Sequence, residues 1–419
     1  MTSLNNFKAG AKLHCFATIL LSLVCLCLLP ACAQSTQDST KRSLLSLEDI
    51  NYAGAFRLPA GTFGNSSLNY SEGPFAYDAS NNSVFIVGHS HQQSIAEFKL
   101  PPLVNSTRLE DLAMAAAPVQ PFSSILDRAG APPENINRIG GLAFVDTAAG
   151  RELWVNAYEY YDAPGDNTLS TLLIDNPDNL QNSGVTPYFG FEGSAGHTSG
   201  WLSAIPQDWQ DDLDGNFITG QSSGIPIISR TSVGPSAFIF DSATRATGKD
   251  AVATTALLDF SLEHPLAQDL ANESGENNLW THLSRVRYGF IVPNTNSYLT
   301  IGHSGGHESG VCYKCTQNND NLCGGYCAPD ANDYYLYYWL WDMNDLLAVK
   351  RGDKASYDVR PYAYGALPNP FETLSTRLGG GSFDADSGLL YLTLQAADKE
   401  QGRYSNPPVV LAYTIDIAD

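Results

Sequence analysis

Positive charge is scarce in this chain: 23 Lys and Arg stand against 44 Asp and Glu, a formal charge of −21 at pH 7. That excludes a phosphate-backbone partner, which needs clustered cations, so no nucleic acid is expected. Long apolar runs are also missing, apart from one near the start (about 16–29). Nothing after it reads as a membrane-crossing helix. The repeating Lys/Glu/Ala pattern of surface helices is nearly absent too. Gly, Pro, Asn and Asp punctuate the chain instead, with 21 Tyr, 18 Phe and 6 Trp between them, as in all-β folds. Cysteine is sparse, and four of the eight lie in the first 32 residues.

The opening reads as an export signal. Lys8 and Lys12 precede the apolar run, and Leu29-Pro30-Ala31-Cys32 resembles a lipobox with Cys32 as the lipidated residue. An ordinary signal peptide cut nearby is the alternative. Removal of residues 1–31 takes two positive charges and no acid from −21, leaving −23. Residues 32–47 read as a flexible tether and 48–419 as one domain. Gln34, rather than Asp, close behind Cys32 favours an outer-membrane lipoprotein, at the surface or in the periplasm; full secretion is the alternative.

What is present is a repeat. Five segments begin alike: Glu72-Gly-Pro-Phe-Ala-Tyr-Asp, Arg138-Ile-Gly-Gly-Leu-Ala-Phe, His197-Thr-Ser-Gly-Trp-Leu-Ser, Arg285-Val-Arg-Tyr-Gly-Phe-Ile and Arg377-Leu-Gly-Gly-Gly-Ser-Phe. Each opens a group of period-2 apolar runs separated by turn residues. The runs fall near 73–78, 83–89, 94–100 and 117–122; 140–145, 152–158, 168–174 and 185–191; 200–205, 215–220, 235–240 and 254–260; 286–292, 297–302, 334–342 and 356–364; and 380–384, 388–394 and 408–415. The last group lacks a strand, and Ile50-Asn-Tyr-Ala-Gly-Ala-Phe-Arg supplies it. The expected fold is therefore a five-bladed β-propeller of four-stranded antiparallel blades, its N-terminal strand closing the last blade. Six or seven blades would need strands in 102–137 or 262–282, which read as loops; an irregular β-sandwich is the remaining alternative.

On such a ring, the starts of first strands and the ends of second strands share one face. That face collects Glu72, Arg138, His197, Arg285 and Arg377 with His89, His91, Asn156, Tyr158, Gln221, His303, His307 and Gln395. The following loops add Tyr160, Asp162, Arg230 and Glu308. Arginines suit an anionic ligand, because the guanidinium pairs a carboxylate or sulfate through two hydrogen bonds. Histidine and tyrosine add proton transfer. β-Elimination of a uronate polysaccharide needs this mixture. Arginine neutralises the sugar carboxylate, one group removes the adjacent proton and another protonates the leaving oxygen. The residues expected to move protons are His89, His91, Tyr158 and Tyr160. Those expected to bind substrate are Arg138, Asn156, His197, Arg230, Arg285 and Arg377. Glycoside hydrolysis by two of the acids on this face is the second reading, and glycan capture without chemistry the third. An anionic polysaccharide is the expected partner, the outer membrane holds the lipid anchor, and a monomer is expected.

Cys312-Tyr-Lys-Cys315 and Cys323-Gly-Gly-Tyr-Cys327 share one long loop of the fourth group. Two disulfides suit an exported protein. A tetrahedral structural zinc also suits this spacing, with His303 or His307 able to replace one sulfur. No other cofactor is expected.

The segments Asn51-Tyr-Ala-Gly-Ala-Phe-Arg-Leu-Pro, Phe85-Ile-Val-Gly-His-Ser-His, Ala157-Tyr-Glu-Tyr-Tyr-Asp, Ile227-Ile-Ser-Arg-Thr-Ser and Trp341-Asp-Met-Asn-Asp-Leu-Leu-Ala-Val resemble a family of secreted bacterial propellers of undefined function. The His, Tyr and Arg face is also similar in chemistry to the ulvan lyases, propeller enzymes with more blades than are counted here. That resemblance implies lyase chemistry with His and Tyr moving protons and Arg facing the uronate. It assigns no individual residue.

Overall fold

A computed structural model describes residues 42–130, 133–147, 150–221, 225–245 and 251–416. The expected signal segment, the lipidation residue Cys32 and the tether as far as residue 41 lie outside the described residues. Among those described, no helix is long and apolar enough to cross a membrane.

Five antiparallel sheets form the blades of a five-bladed β-propeller. Blade 1 runs Phe75–Asp78, Ser83–Val87, Ser94–Lys99 and Gln120–Ser124. Blade 2 runs Arg138–Thr147, Gly150–Tyr158 and Thr171–Ile174. Its expected fourth strand, 185–191, makes only the isolated bridges Ile174↔Val185 and Thr171↔Phe189. Blade 3 runs Leu202–Ala204, Phe217–Thr219, Ala237–Phe240 and Thr255–Leu258. Blade 4 runs Arg285–Ile291, Ser297–Gly305, Tyr334–Asp342 and Ala363–Ala366. A one-turn helix at Ser356–Asp358 delays its outer strand beyond the expected start at 356. Blade 5 runs Leu378–Asp384, Leu389–Leu394 and Val409–Ile415, and Ile50–Arg57 pairs outside the last of these.

The first strand of each blade packs on the first strand of the next, and blade 5 packs back on blade 1, so the ring is closed. The glycines of the repeat now have a cause. A Cβ on Gly141 would lie 2.2 Å from the Gly200 carbonyl, and one on Gly379 would lie 2.5 Å from the Glu72 carbonyl. Neighbouring inner strands approach backbone to backbone, which leaves no room for a side chain. Between the blades, Trp154, Trp201, Trp339 and Trp341 are fully buried in the apolar layers.

Closure of blade 5 depends on more than strand pairing. Arg57, on the N-terminal strand, gives Asp398 two hydrogen bonds, from Nε at 2.8 Å and from Nη2 at 3.0 Å. Gln401 Nε2 adds a third to the same carboxylate at 2.7 Å. The Asp398 side chain is fully buried and that of Arg57 is 13% exposed. Removing one partner strands the other charge in a low dielectric. Asp398→Ala is expected to lower unfolding free energy by about 3 kcal/mol, read as a shift of the denaturant midpoint without a change in slope.

Candidate functional site

One end of the ring opens into a cavity of about 520 Å³, the size of a small-ligand pocket. Its wall brings together Glu72, Tyr158, Arg285, Arg287, His303, Arg377 and Gln395, from blades 1, 2, 4 and 5. Arg285 and Arg287 stand two apart on the inner strand of blade 4. Both lie on the cavity wall, and Arg287 reaches on into the channel between the inner strands. His303 is the cross-strand partner of Arg285. Arg377 immediately precedes the inner strand of blade 5. Gln395 fixes the junction of blades 5 and 1: its Nε2 donates to the carbonyls of Glu72, at 3.1 Å, and Leu378, at 2.9 Å. Its backbone N–H donates to the Arg377 carbonyl at 2.8 Å.

The electrostatics are lopsided. Among the described residues no ion pair forms at Arg285, Arg287 or Arg377. Arg287 Nε is buried with no hydrogen-bond partner. Glu72 is the one carboxylate on the cavity wall. Burial, then the charge of Arg287, pushes the Arg285 guanidinium down to about 10, with Arg377 adding to the effect. Burial and like charges thus both oppose the positive charge of Arg285.

His303 is kept neutral. Burial first, then Arg287, Arg285 and Arg377, hold its imidazole well below the usual value of 6.5. The Leu378 N–H lies 3.3 Å from its Nδ1. Nδ1 is then the acceptor, and the ring proton sits on Nε2 as a donor. Tyr158 is buried at the end of the second strand of blade 2. Burial raises its phenol and Glu72 adds to this, while Arg287 and Arg138 oppose. Tyr158 is therefore a protonated hydroxyl at neutral pH, set among cations.

These shifts fix a pH dependence. Anion binding needs Arg285 charged, so affinity is expected to fall as pH rises through about 10. No change is expected as pH falls through 6.5, because His303 stays neutral there. A titration of affinity against pH checks both limbs.

The other expected site residues divide. Tyr160 lines the mouth, 39% exposed, with the Arg138 guanidinium 5.2 Å from its ring centre. His89 and His91 do not line the cavity. They pack on each other at 5.0 Å, and His89 packs on Tyr70 at 5.4 Å, just after the second strand of blade 1. Asn156 is buried and donates to the carbonyls of Thr198 and Gly200, joining blades 2 and 3. His197 Nδ1 lies 2.7 Å from Asp259. Arg230 Nη2 donates to the Ala163 carbonyl at 2.9 Å and secures the loop after Tyr160. His307 is buried between Ser304 and the Asn277 carbonyl, at 2.7 and 2.9 Å. Arg287 was not among the expected residues, although strand periodicity places it on the face of Arg285.

The cysteines pair as Cys312–Cys315 and Cys323–Cys327. The pairs touch: Cys327 Sγ lies 3.5 Å from Cys315 Sγ and 4.0 Å from Cys312 Sγ. Cys312, Cys315 and Cys327 are thus close enough to hold a metal ion, and neither His303 nor His307 belongs to that group. Cys323 and Cys327 border the arginine cavity. A larger depression, about 600 Å³, lies at the outer turns of blade 3; it carries Asp211, Asp214 and Asp241 but no cation or histidine.

No family model matches the chain, and no curated protein matches it. Solved structures do. A GH43 endo-arabinanase from Bacillus licheniformis is 10% identical with a TM-score of 0.38, over 85% of this chain and 95% of that one. An α-L-arabinanase from Cellvibrio cellulosa is 11% identical with a TM-score of 0.37, over 82% and 91%. CoXyl43, a GH43 β-xylosidase/α-arabinofuranosidase from a compost microbial metagenome, is 9% identical with a TM-score of 0.41, over 87% and 94%. None of the three is a lyase, and likeness this remote carries no chemistry across to the arginine cavity.

Proposed function

We propose that this protein binds an acidic polysaccharide at the channel mouth and cleaves it by β-elimination. One observation carries the reading: Arg285, Arg287 and Arg377 converge without ion-pair partners beside a buried, protonated Tyr158. The arginines and the His303 Nε2–H hold the sugar carboxylate and stabilise the enolate-like charge that develops on it. Glu72 takes the proton from the carbon next to the carboxylate. The released electron pair forms the new C=C bond as the C–O bond to the neighbouring sugar breaks. Tyr158 gives its proton to the leaving oxygen and regains one from solvent, while Glu72 releases the abstracted proton to solvent. The proposal includes export and lipid attachment through Cys32, which would place the enzyme where polymers are met.

Hydrolysis is the second reading. Glu159 and Asp162 share a small pocket with Tyr158, so acids other than Glu72 adjoin that residue. Neither lines the arginine cavity. Incubation with a panel of uronate-rich and sulfated polymers separates the two. Elimination gives ultraviolet absorbance from the new C=C bond; hydrolysis gives reducing ends without it. Binding without product would leave capture alone.

A further inference from the structure

We propose a second carbohydrate subsite on the cysteine ribbon: a stacking surface for the sugar ring next to the acidic one. It rests on the reading of the arginine cavity as a polysaccharide site. The ribbon is the two-residue pair Cys312–Tyr313 and Tyr326–Cys327, in which Tyr313 faces Tyr326 across the strands. Two such short strands do not persist alone in water. Here the bonds Cys312–Cys315 and Cys323–Cys327 each brace one strand against the turn next to it. What they hold in place is aromatic and open to solvent: Tyr313 is 60% exposed, Tyr326 48% and Leu322 73%.

Tyr326 is oriented as well as exposed. Its ring stacks on His282 at 4.1 Å with 7° between the planes. Burial lowers the His282 imidazole below its usual range, so a neutral ring backs the tyrosine. Tyr313 lies 5.1 Å away at a tilt, with the Lys314 ammonium 5.2 Å from its ring. Tyr326 and Leu322 border the arginine cavity itself. A polymer leaving the arginines on this side meets a half-exposed aromatic ring backed by His282 and flanked by Tyr313. The C–H faces of a pyranose suit such a surface. The arginines hold charge, and the ribbon holds an uncharged sugar face.

The test compares wild type, Tyr326→Ala and Tyr326→Phe on an acidic polymer and on the shortest fragment that the enzyme cleaves. Tyr326→Ala is expected to raise KM for the polymer about 10-fold, the size of one lost aromatic contact, with kcat kept. The advantage in KM of polymer over fragment should shrink accordingly, and Tyr326→Phe should restore it. Equal KM changes on polymer and fragment, or none on either, would overturn the subsite while leaving the arginine site standing. If wild type neither binds nor cleaves any acidic saccharide, both readings fall together.

Discussion

Arg285→Met is expected to cut kcat/KM on an acidic polymer by 10²- to 10³-fold while leaving the fold as stable as before, or more so. The loss follows from removing a desolvated charge-assisted contact, about 3–4 kcal/mol. The gain follows from the same cavity. Burial and two neighbouring arginines oppose the Arg285 charge in the free protein. A methionine of similar length removes that repulsion and keeps the packing of the stem. Most core-lining substitutions lose stability and activity together. Here they should separate, because the site is built against the preference of the folded chain. Arg377→Ala should weaken binding less, since Arg377 is exposed and water takes up its role in part. Steady-state kinetics beside a denaturant titration checks both halves. A large fall in stability for Arg285→Met would show that the guanidinium is structural.

Tyr158→Phe is expected to lower kcat by 10²- to 10⁴-fold, the range for loss of a general acid, with little change in KM. The substitution deletes one oxygen. The ring stays buried where it is, and Arg287 stays on the cavity wall, available to the substrate. The corresponding change at Tyr160 removes an exposed hydroxyl above Arg138 and should cost far less. A KM effect without a kcat effect at Tyr158 would make it a binding group and return the proton to another donor.

Much of the ring was readable in the chain. The inner strands of blades 2 and 3, and of blades 5 and 1, meet backbone to backbone, and that constraint prints glycines such as Gly141 and Gly379 at their starts; Gly289 of blade 4 instead makes room for the side chains of Tyr298 and Trp201. The closing strand Ile50–Arg57 was readable because the last group lacked one. Blade 2 was less so: 185–191 has the apolar alternation of a strand but only touches its neighbour at two bridges. The site was half visible. Arg285, Arg377, His303, Tyr158 and Tyr160 follow from strand ends on a ring. His89 and His91 occupy the same place in the repeat yet sit apart from the cavity. The second strand of blade 1 stops at Val87, and Gly88 packs against Ser66 and Phe122. The His89 N–H is then taken by the Ser67 carbonyl, so the turn is held to the segment between Arg57 and Phe75. In blade 4 the equivalent strand runs on to Gly305 and carries His303 into the mouth. Local pattern does not distinguish these two outcomes; tertiary packing around one glycine does.

On the proposed function, the channel mouth recognises negative charge on a sugar. The most direct test is the affinity of the intact protein for a uronate oligosaccharide and for the same oligosaccharide with its carboxyl groups reduced to alcohols. The acid is expected to bind and stabilise the protein, the reduced form to bind at least 100-fold more weakly, and Arg285→Met to remove the difference. Equal affinity for the two oligosaccharides would contradict it.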